Sequence, residues 1–176
     1  MTQSTQFTNV DEAIEFLSAN LQPSNPTAAY PDAAQYLGRS GDGRALDPLV
    51  QALNEGNSYI RATAALGLGE LGRREGVPYL MEAFLHDPGL YVRCDAALAL
   101  GKLGSEESLS VFLERFLSEE FEVQKRIVLA ISQIGSEKAR GALRSISSLL
   151  ETLDASQGEK EFLTYLVSQG LNEIRD

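Results

Sequence analysis

The sequence predicts an all-α protein: a right-handed αα solenoid of about four helix pairs, with one extra helix before the pairs and one capping helix after them. Three observations predict it. A 14-residue segment is written twice, Tyr59-Ile-Arg-Ala-Thr-Ala-Ala-Leu-Gly-Leu-Gly-Glu-Leu-Gly72 lying over Tyr91-Val-Arg-Cys-Asp-Ala-Ala-Leu-Ala-Leu-Gly-Lys-Leu-Gly104 at an offset of 32 residues. That period belongs to helical repeats, whose units bury their apolar faces only by stacking on one another. Degraded copies flank the pair at an offset of 31. Ala33, Ala34, Leu37 and Gly38 match Ala64, Ala65, Leu68 and Gly69, and Val123, Leu129, Ala130, Ile134 and Gly135 match Val92, Leu98, Ala99, Leu103 and Gly104. The composition agrees: 43% hydrophobic residues with no tryptophan, dominated by Ala and Leu, which favours close-packed helices over sheets.

The elements follow in order. Residues 1–8 are polar and read as a frayed end. Asn9 can cap a helix whose stripe is Val10, Ala13, Ile14 and Leu17, ending near Asn20. Pro23 and Pro26 break it inside a linker over residues 22–27. A degraded long helix starts at Ala28, turns at Gly41-Asp-Gly-Arg44, and pairs with Leu46–Leu53, where Pro48 in the first turn is harmless. Asn57 or Ser58 caps the next long helix, and Val77 to His86 is its partner. Asp87-Pro88-Gly89 stops one helix and restarts another. The third long helix ends at Leu103; Ser105 is expected to cap its partner, Leu109 to Leu117. A fourth copy runs to Gly135, with Ile127-Val128 replacing the Ala-Ala pair; these larger residues predict wider helix spacing at this end. Its partner is expected over Ala142 to Leu153, and a final helix from Glu159 presents Phe162, Leu163, Leu166, Val167 and Ile174 as its apolar side. The chain thus divides into an N-terminal helix and linker (1–27), repeats (28–158) and a capping helix (159–176), all in one domain.

Glycine in a helix interior costs about 1 kcal/mol relative to alanine. Gly67 and Gly69 in one helix therefore predict a packing demand, with Ala64, Ala65, Ala96, Ala97 and Gly101 letting neighbouring backbones approach. The spacing Gly67-Leu-Gly-Glu-Leu-Gly72 also fits G-x-G-x-x-G. It sits inside a repeat helix with no strand before it, so it is no phosphate loop.

Charge and cysteine content exclude several functions. The formal net charge is −10, which disfavours phosphate-backbone binding and docking on anionic lipid. Cys94 and His86 are the only cysteine and histidine, so neither an internal disulfide nor a Cys/His zinc site is available. No secretory signal pattern and no apolar run near about 18 residues is present. The expected location is cytoplasmic, without nucleic acid, metal or intrinsic cofactor.

The segment from Tyr91 to Leu109, with its apolar partner helix, resembles the short HEAT-like repeat of the phycobilisome lyase family, in the form Val-Arg, two residues, Ala-Ala, then Leu-Gly and a further Gly. The resemblance covers residues 28–150 and is strongest over 59–117. It implies a bilin lyase component, or a lyase-like chaperone. Such a protein would bind a linear tetrapyrrole and a phycobiliprotein, assist attachment or transfer at a cysteine of that partner, and work with a second HEAT-repeat chain in a heterodimer. The other reading is a non-enzymatic adaptor for protein–protein interaction.

The resemblance proposes Tyr59, Arg61, Tyr91 and Arg93 as bilin- or partner-binding residues and identifies no catalytic residue. Each has a structural reading beside the functional one. Arg61 and Arg93 either meet a propionate on the concave face or bond from repeat to repeat, with Asp87 and Asp95 as nearby acceptors. Tyr59 and Tyr91 either stack on a flat tetrapyrrole or pack in the groove between repeats. Tyr30 and Tyr36 fit the repeat poorly and read as more exposed. Cys94 reads as a packed residue, because a helix interior beside an acid does not activate a thiol. His86 reads as a helix-end residue, and Glu106-Glu107, Glu119-Glu120-Phe-Glu122 and Glu159-Lys-Glu161 as solvated helix starts.

Overall fold

The structure is a computed structural model that describes residues 7–19 and 29–174. The predicted end of the first helix at Asn20, the linker over 22–27 and the start at Ala28 lie outside the described residues. Ten α-helices occur among those residues, with no strand. α1 is Val10–Ala19, α2 Ala29–Ser40, α3 Leu46–Leu53, α4 Ser58–Leu71, α5 Val77–His86, α6 Leu90–Lys102, α7 Ser108–Arg115, α8 Phe121–Ile134, α9 Glu137–Leu149 and α10 Gln157–Glu173. Four pairs (α2/α3, α4/α5, α6/α7, α8/α9) stack between α1 and α10, as the repeats predict.

The helix ends follow from local chemistry. The Asn9 side chain accepts from the Glu12 amide at 2.8 Å. Asn57 accepts from the Tyr59 amide, Ser136 from the Ala139 amide, and Ser156 with Glu159 forms a reciprocal capping box. Gly41, Gly72, Gly104 and Gly135 follow the four repeat-type long helices with φ between +61° and +71°, the left-handed turn that L side chains resist. Gly41 and Gly104 face open space and Gly72 and Gly135 meet only main-chain oxygens, so backbone conformation fixes all four.

The repeat-type long helices α2, α4, α6 and α8 form one layer with α10, and their partner helices α3, α5, α7 and α9 form the other. The long layer is held backbone to backbone. A Cβ on Gly38 would lie 2.7 Å from the Gly67 carbonyl oxygen, one on Gly69 2.8 Å from the Ala99 Cα, and one on Gly101 2.6 Å from the Ala130 Cα. The partner helices stand further apart. The array therefore bends toward the long helices, whose solvent side is the inner, concave face.

Several expectations are corrected. Spacing does not widen between α6 and α8, because Gly101 meets Ala130 rather than the larger Ile127-Val128 pair. Between α8 and α10 the small residue comes from the other helix: Gly170 sits on Ser132. Phe7 is not frayed; it is buried, with its ring 5.3 Å from that of Phe16 and 6.2 Å from that of Tyr36. Tyr30 is fully buried and donates to the Leu17 carbonyl at 3.2 Å, so the first copy uses its aromatics to seat α1. Ser105 caps nothing. It is buried and its hydroxyl lacks a partner among the described residues. α9 begins five residues before Ala142 because Ser136 caps it. Leu163, Val167 and Ile174 bury α10 against the array, while Phe162 is exposed.

Candidate functional site

Two features are built on the long helices. One is a polar ladder along the edge where these helices begin. Arg61 donates from Nε to Asp87 Oδ2 at 2.6 Å and from Nη2 to Oδ1 at 2.9 Å. Its Nη1 donates to the carbonyls of Glu55 (2.8 Å) and Gly56 (3.1 Å). One helix pair later, Arg93 donates to Glu119 at 3.0 Å, to Glu120, and to the Asp87 carbonyl at 3.1 Å. Glu119 is buried and also accepts from Arg115 at 3.2 Å. Gln124, at the same place on α8, is buried and donates to the Phe116 carbonyl at 2.9 Å. The fourth copy carries Gln124 where the second and third carry Arg61 and Arg93, so the row continues there without charge. Asp87 joins two repeats, since its carboxylate takes Arg61 and its carbonyl takes Arg93.

The other feature is the inner face. Residues three and four apart share one side of a helix. Tyr59, Thr63, Leu66 and Glu70 line up along α4, Tyr91, Asp95, Leu98 and Lys102 along α6, and Glu122, Arg126, Leu129 and Gln133 along α8. The repeat offset sets them in rows: Tyr59–Tyr91–Glu122, Thr63–Asp95–Arg126, Leu66–Leu98–Leu129 and Glu70–Lys102–Gln133. Tyr59 is 54% and Tyr91 72% exposed, and Leu129 is exposed as well. A groove of about 140 Å³ between α2 and α4 is lined by Pro31, Gln35, Thr63, Leu66 and Glu70. Glu70 closes the far end of the face by pairing with Lys102 and, at 3.7 Å, with Arg39.

The four sequence-predicted site residues therefore separate. Two residues along an α-helix are about 200° of rotation apart, so a Tyr and the Arg two places on cannot share a face. The arginines turn into the ladder, and each keeps only 12% of its side chain exposed. The tyrosines stand on the inner face rather than in the groove between repeats. Asp95 is not a ladder acceptor; it sits with Tyr91 and Leu98. The leucine row was missed in the sequence because Leu66 and Leu98 fall inside the small-residue motif and read as core. Their recurrence at the repeat offset, on the same side as the tyrosines, was the available signal.

Cys94 is buried among the α6 packing residues, and burial pushes its thiol up to about 11. The thiolate is the nucleophile, so this sulfur is inert in the folded chain. At pH 8 its alkylation by iodoacetamide is expected to be roughly 100-fold slower than in urea-unfolded chain; equal rates would contradict the packing. His86 is an exposed helix-end residue, 3.9 Å from Glu82. No group of three or more His, Cys, Asp or Glu able to hold a metal occurs among the described residues, and no described helix is long and apolar enough to cross a membrane.

Asp95 has the least ordinary electrostatics on the inner face. Burial pushes its carboxyl up to about 6, and Arg126 on α8 only partly opposes that rise.

Known proteins match this architecture. A family model for HEAT repeats matches residues 10–100 and 46–122. The phycocyanobilin lyase subunit alpha of Picosynechococcus sp. strain PCC 7002 is 34% identical over 76 residues, covering 40% of this chain; the chain spans only 28% of that relative's length. The complex of CpcE and CpcF of phycocyanin lyase from Nostoc sp. PCC7120 superposes with a TM-score of 0.67 at 26% identity, over 96% of this chain and 68% of that one. Human deoxyhypusine hydroxylase in complex with glycerol superposes with a TM-score of 0.53 at 16% identity, over 94% of this chain and 86% of that one, a likeness of fold alone. The chain belongs to the HEAT-repeat family, in which it resembles phycobilisome lyase proteins in sequence and in fold.

Proposed function

We propose that the chain is a component of a bilin lyase, or a lyase-like chaperone, that holds a linear tetrapyrrole on its inner face. There it presents the pigment to a cysteine of a phycobiliprotein and works beside a second HEAT-repeat chain. The observation that carries this is the inner face itself: exposed Tyr59 and Tyr91 over a row of leucines, in a chain similar to a phycocyanobilin lyase subunit. Flat aromatic surface suits a conjugated ligand. The CpcE–CpcF likeness supports the second chain.

The chemistry assigned to this chain is positioning. Its one thiol is buried and protonated, so it does not carry the pigment as a thioether. The bond forms when a cysteine S–H of the partner adds across a double bond of the bilin, and no group leaves. Holding the two reactants in line replaces a bimolecular encounter, which is where a scaffold without a nucleophile accelerates such a step.

The test is co-production of a phycobiliprotein subunit, a bilin and the second lyase chain, with and without this chain, reading covalent pigment by zinc fluorescence in denaturing gels. Pigment attachment or removal that depends on this chain is expected. The same covalent yield with and without it, together with pull-downs that recover protein partners but no bilin, would replace this reading with the protein-only adaptor.

A further inference from the structure

The inner face carries two charges that the fold does not use. Asp95 on α6 and Arg126 on α8 occupy the same row, one helix apart, and both are half-buried. Among the described residues neither makes a hydrogen bond or an ion pair, and each feels the other only through space. The neighbouring charges are engaged. Arg93 holds Glu119 and Glu120, Lys125 holds Glu122 at 2.7 Å, and Lys102 holds Glu70. Half-buried charges that remain unpaired cost stability, and Asp95 shows it, since the fold favours its neutral form. A cost of this kind, left standing on an exposed face, is characteristic of ligand sites.

Adjacent helices lie about 8–10 Å apart. The pair therefore offers an acceptor and a forked cation at separate points of one flat strip, bordered by Tyr91, Leu98 and Leu129. A linear tetrapyrrole has the complementary parts: pyrrole N–H donors along its inner edge, propionate carboxylates on its outer edge, and a flat body between. Resting on the function proposed above, we infer that Asp95 and Arg126 are the polar anchors of the bilin, Asp95 accepting from pyrrole N–H groups and Arg126 gripping a propionate. Guanidinium matches a carboxylate with two parallel hydrogen bonds. A carboxylate against the pyrrole nitrogens also holds the protonated, red-shifted form of the pigment.

The experiment is an absorbance titration of the full chain with phycocyanobilin. The wild-type chain is expected to shift the red band to longer wavelength. In D95N the red shift is lost and the affinity falls about tenfold. In R126Q the affinity falls about tenfold with the band position kept, and R126K recovers part of it. Thermal melts guard against misfolding, because D95N removes a poorly solvated carboxylate and at neutral pH should melt at or above the wild-type temperature. A red shift and affinity unchanged in both D95N and R126Q overturn this inference and leave the proposed function standing. No binding by the wild-type chain overturns both.

Discussion

Replacing Gly101 by valine is expected to lower stability by about 3 kcal/mol, or roughly 6–12 °C in melting temperature for a chain of this size. The reason is backbone contact. A Cβ at this position would lie 2.6 Å from the Ala130 Cα and 2.9 Å from its carbonyl oxygen, and neither can move without parting α6 from α8. The better helix propensity of alanine returns at most about 1 kcal/mol, so Gly101→Ala also destabilises. Gly141 is the control. It lies in α9 with nothing within 4 Å of its built Cβ, and Gly141→Ala is expected to stabilise by about 0.5–1 kcal/mol. Urea melts of the three variants decide the matter. If Gly101→Ala proved as harmless as Gly141→Ala, the long helices would not be in contact at that crossing.

Asp87→Ala is expected to cost a comparable amount, about 3 kcal/mol, the low end of what removing one partner from a buried ion pair costs. Arg61 and Asp87 keep only 12% and 8% of their side chains exposed. The substitution leaves a guanidinium desolvated with only the Glu55 and Gly56 carbonyls as acceptors, and it also frees the Gly89 amide, which donates to Asp87 Oδ1 at 2.7 Å. Asp87→Asn keeps an acceptor and should lose less. The Arg61→Met/Asp87→Ala double variant should recover part of the loss, because it removes the stranded charge. Strict additivity of the single losses would show that the two side chains do not act as a pair.

The repeat told most of the fold because its residues answer to packing. Gly69 and Gly101 are small for a reason the structure makes concrete, and Gly72, Gly104 and Gly135 end their helices in a conformation that favours glycine. The helix pairs were therefore legible from Ala, Gly and Leu alone. What was not legible depended on rotation about a helix axis or on partners distant in sequence. Tyr59 and Arg61 are two residues apart and share a motif, yet they point to different surfaces. Arg93 found Glu119 and Glu120, in the loop before the next long helix. Tyr30 looked misplaced because α1, which it holds through Leu17, lies outside the repeat. On the candidate site, the tyrosines were visible in the sequence. Leu66, Leu98 and Leu129 were hidden because an apolar residue in a repeat helix reads as core until the layers are assembled. Asp95 and Arg126 share a row with Thr63, three unlike residues at the repeat offset, so no recurrence marked them.

The most direct test of an inner face that holds a linear tetrapyrrole compares one substitution on each layer. Leu98→Asp puts a charge in the centre of the leucine row. Tyr79→Ser removes an aromatic that is 46% exposed on α5, in the outer layer. Each variant, checked for helicity, is titrated with phycocyanobilin by absorbance. The predicted result is that Leu98→Asp abolishes the red shift while Tyr79→Ser binds as the wild-type chain does. Loss of the shift in Tyr79→Ser with binding intact in Leu98→Asp would contradict it, and would place any pigment site on the opposite layer.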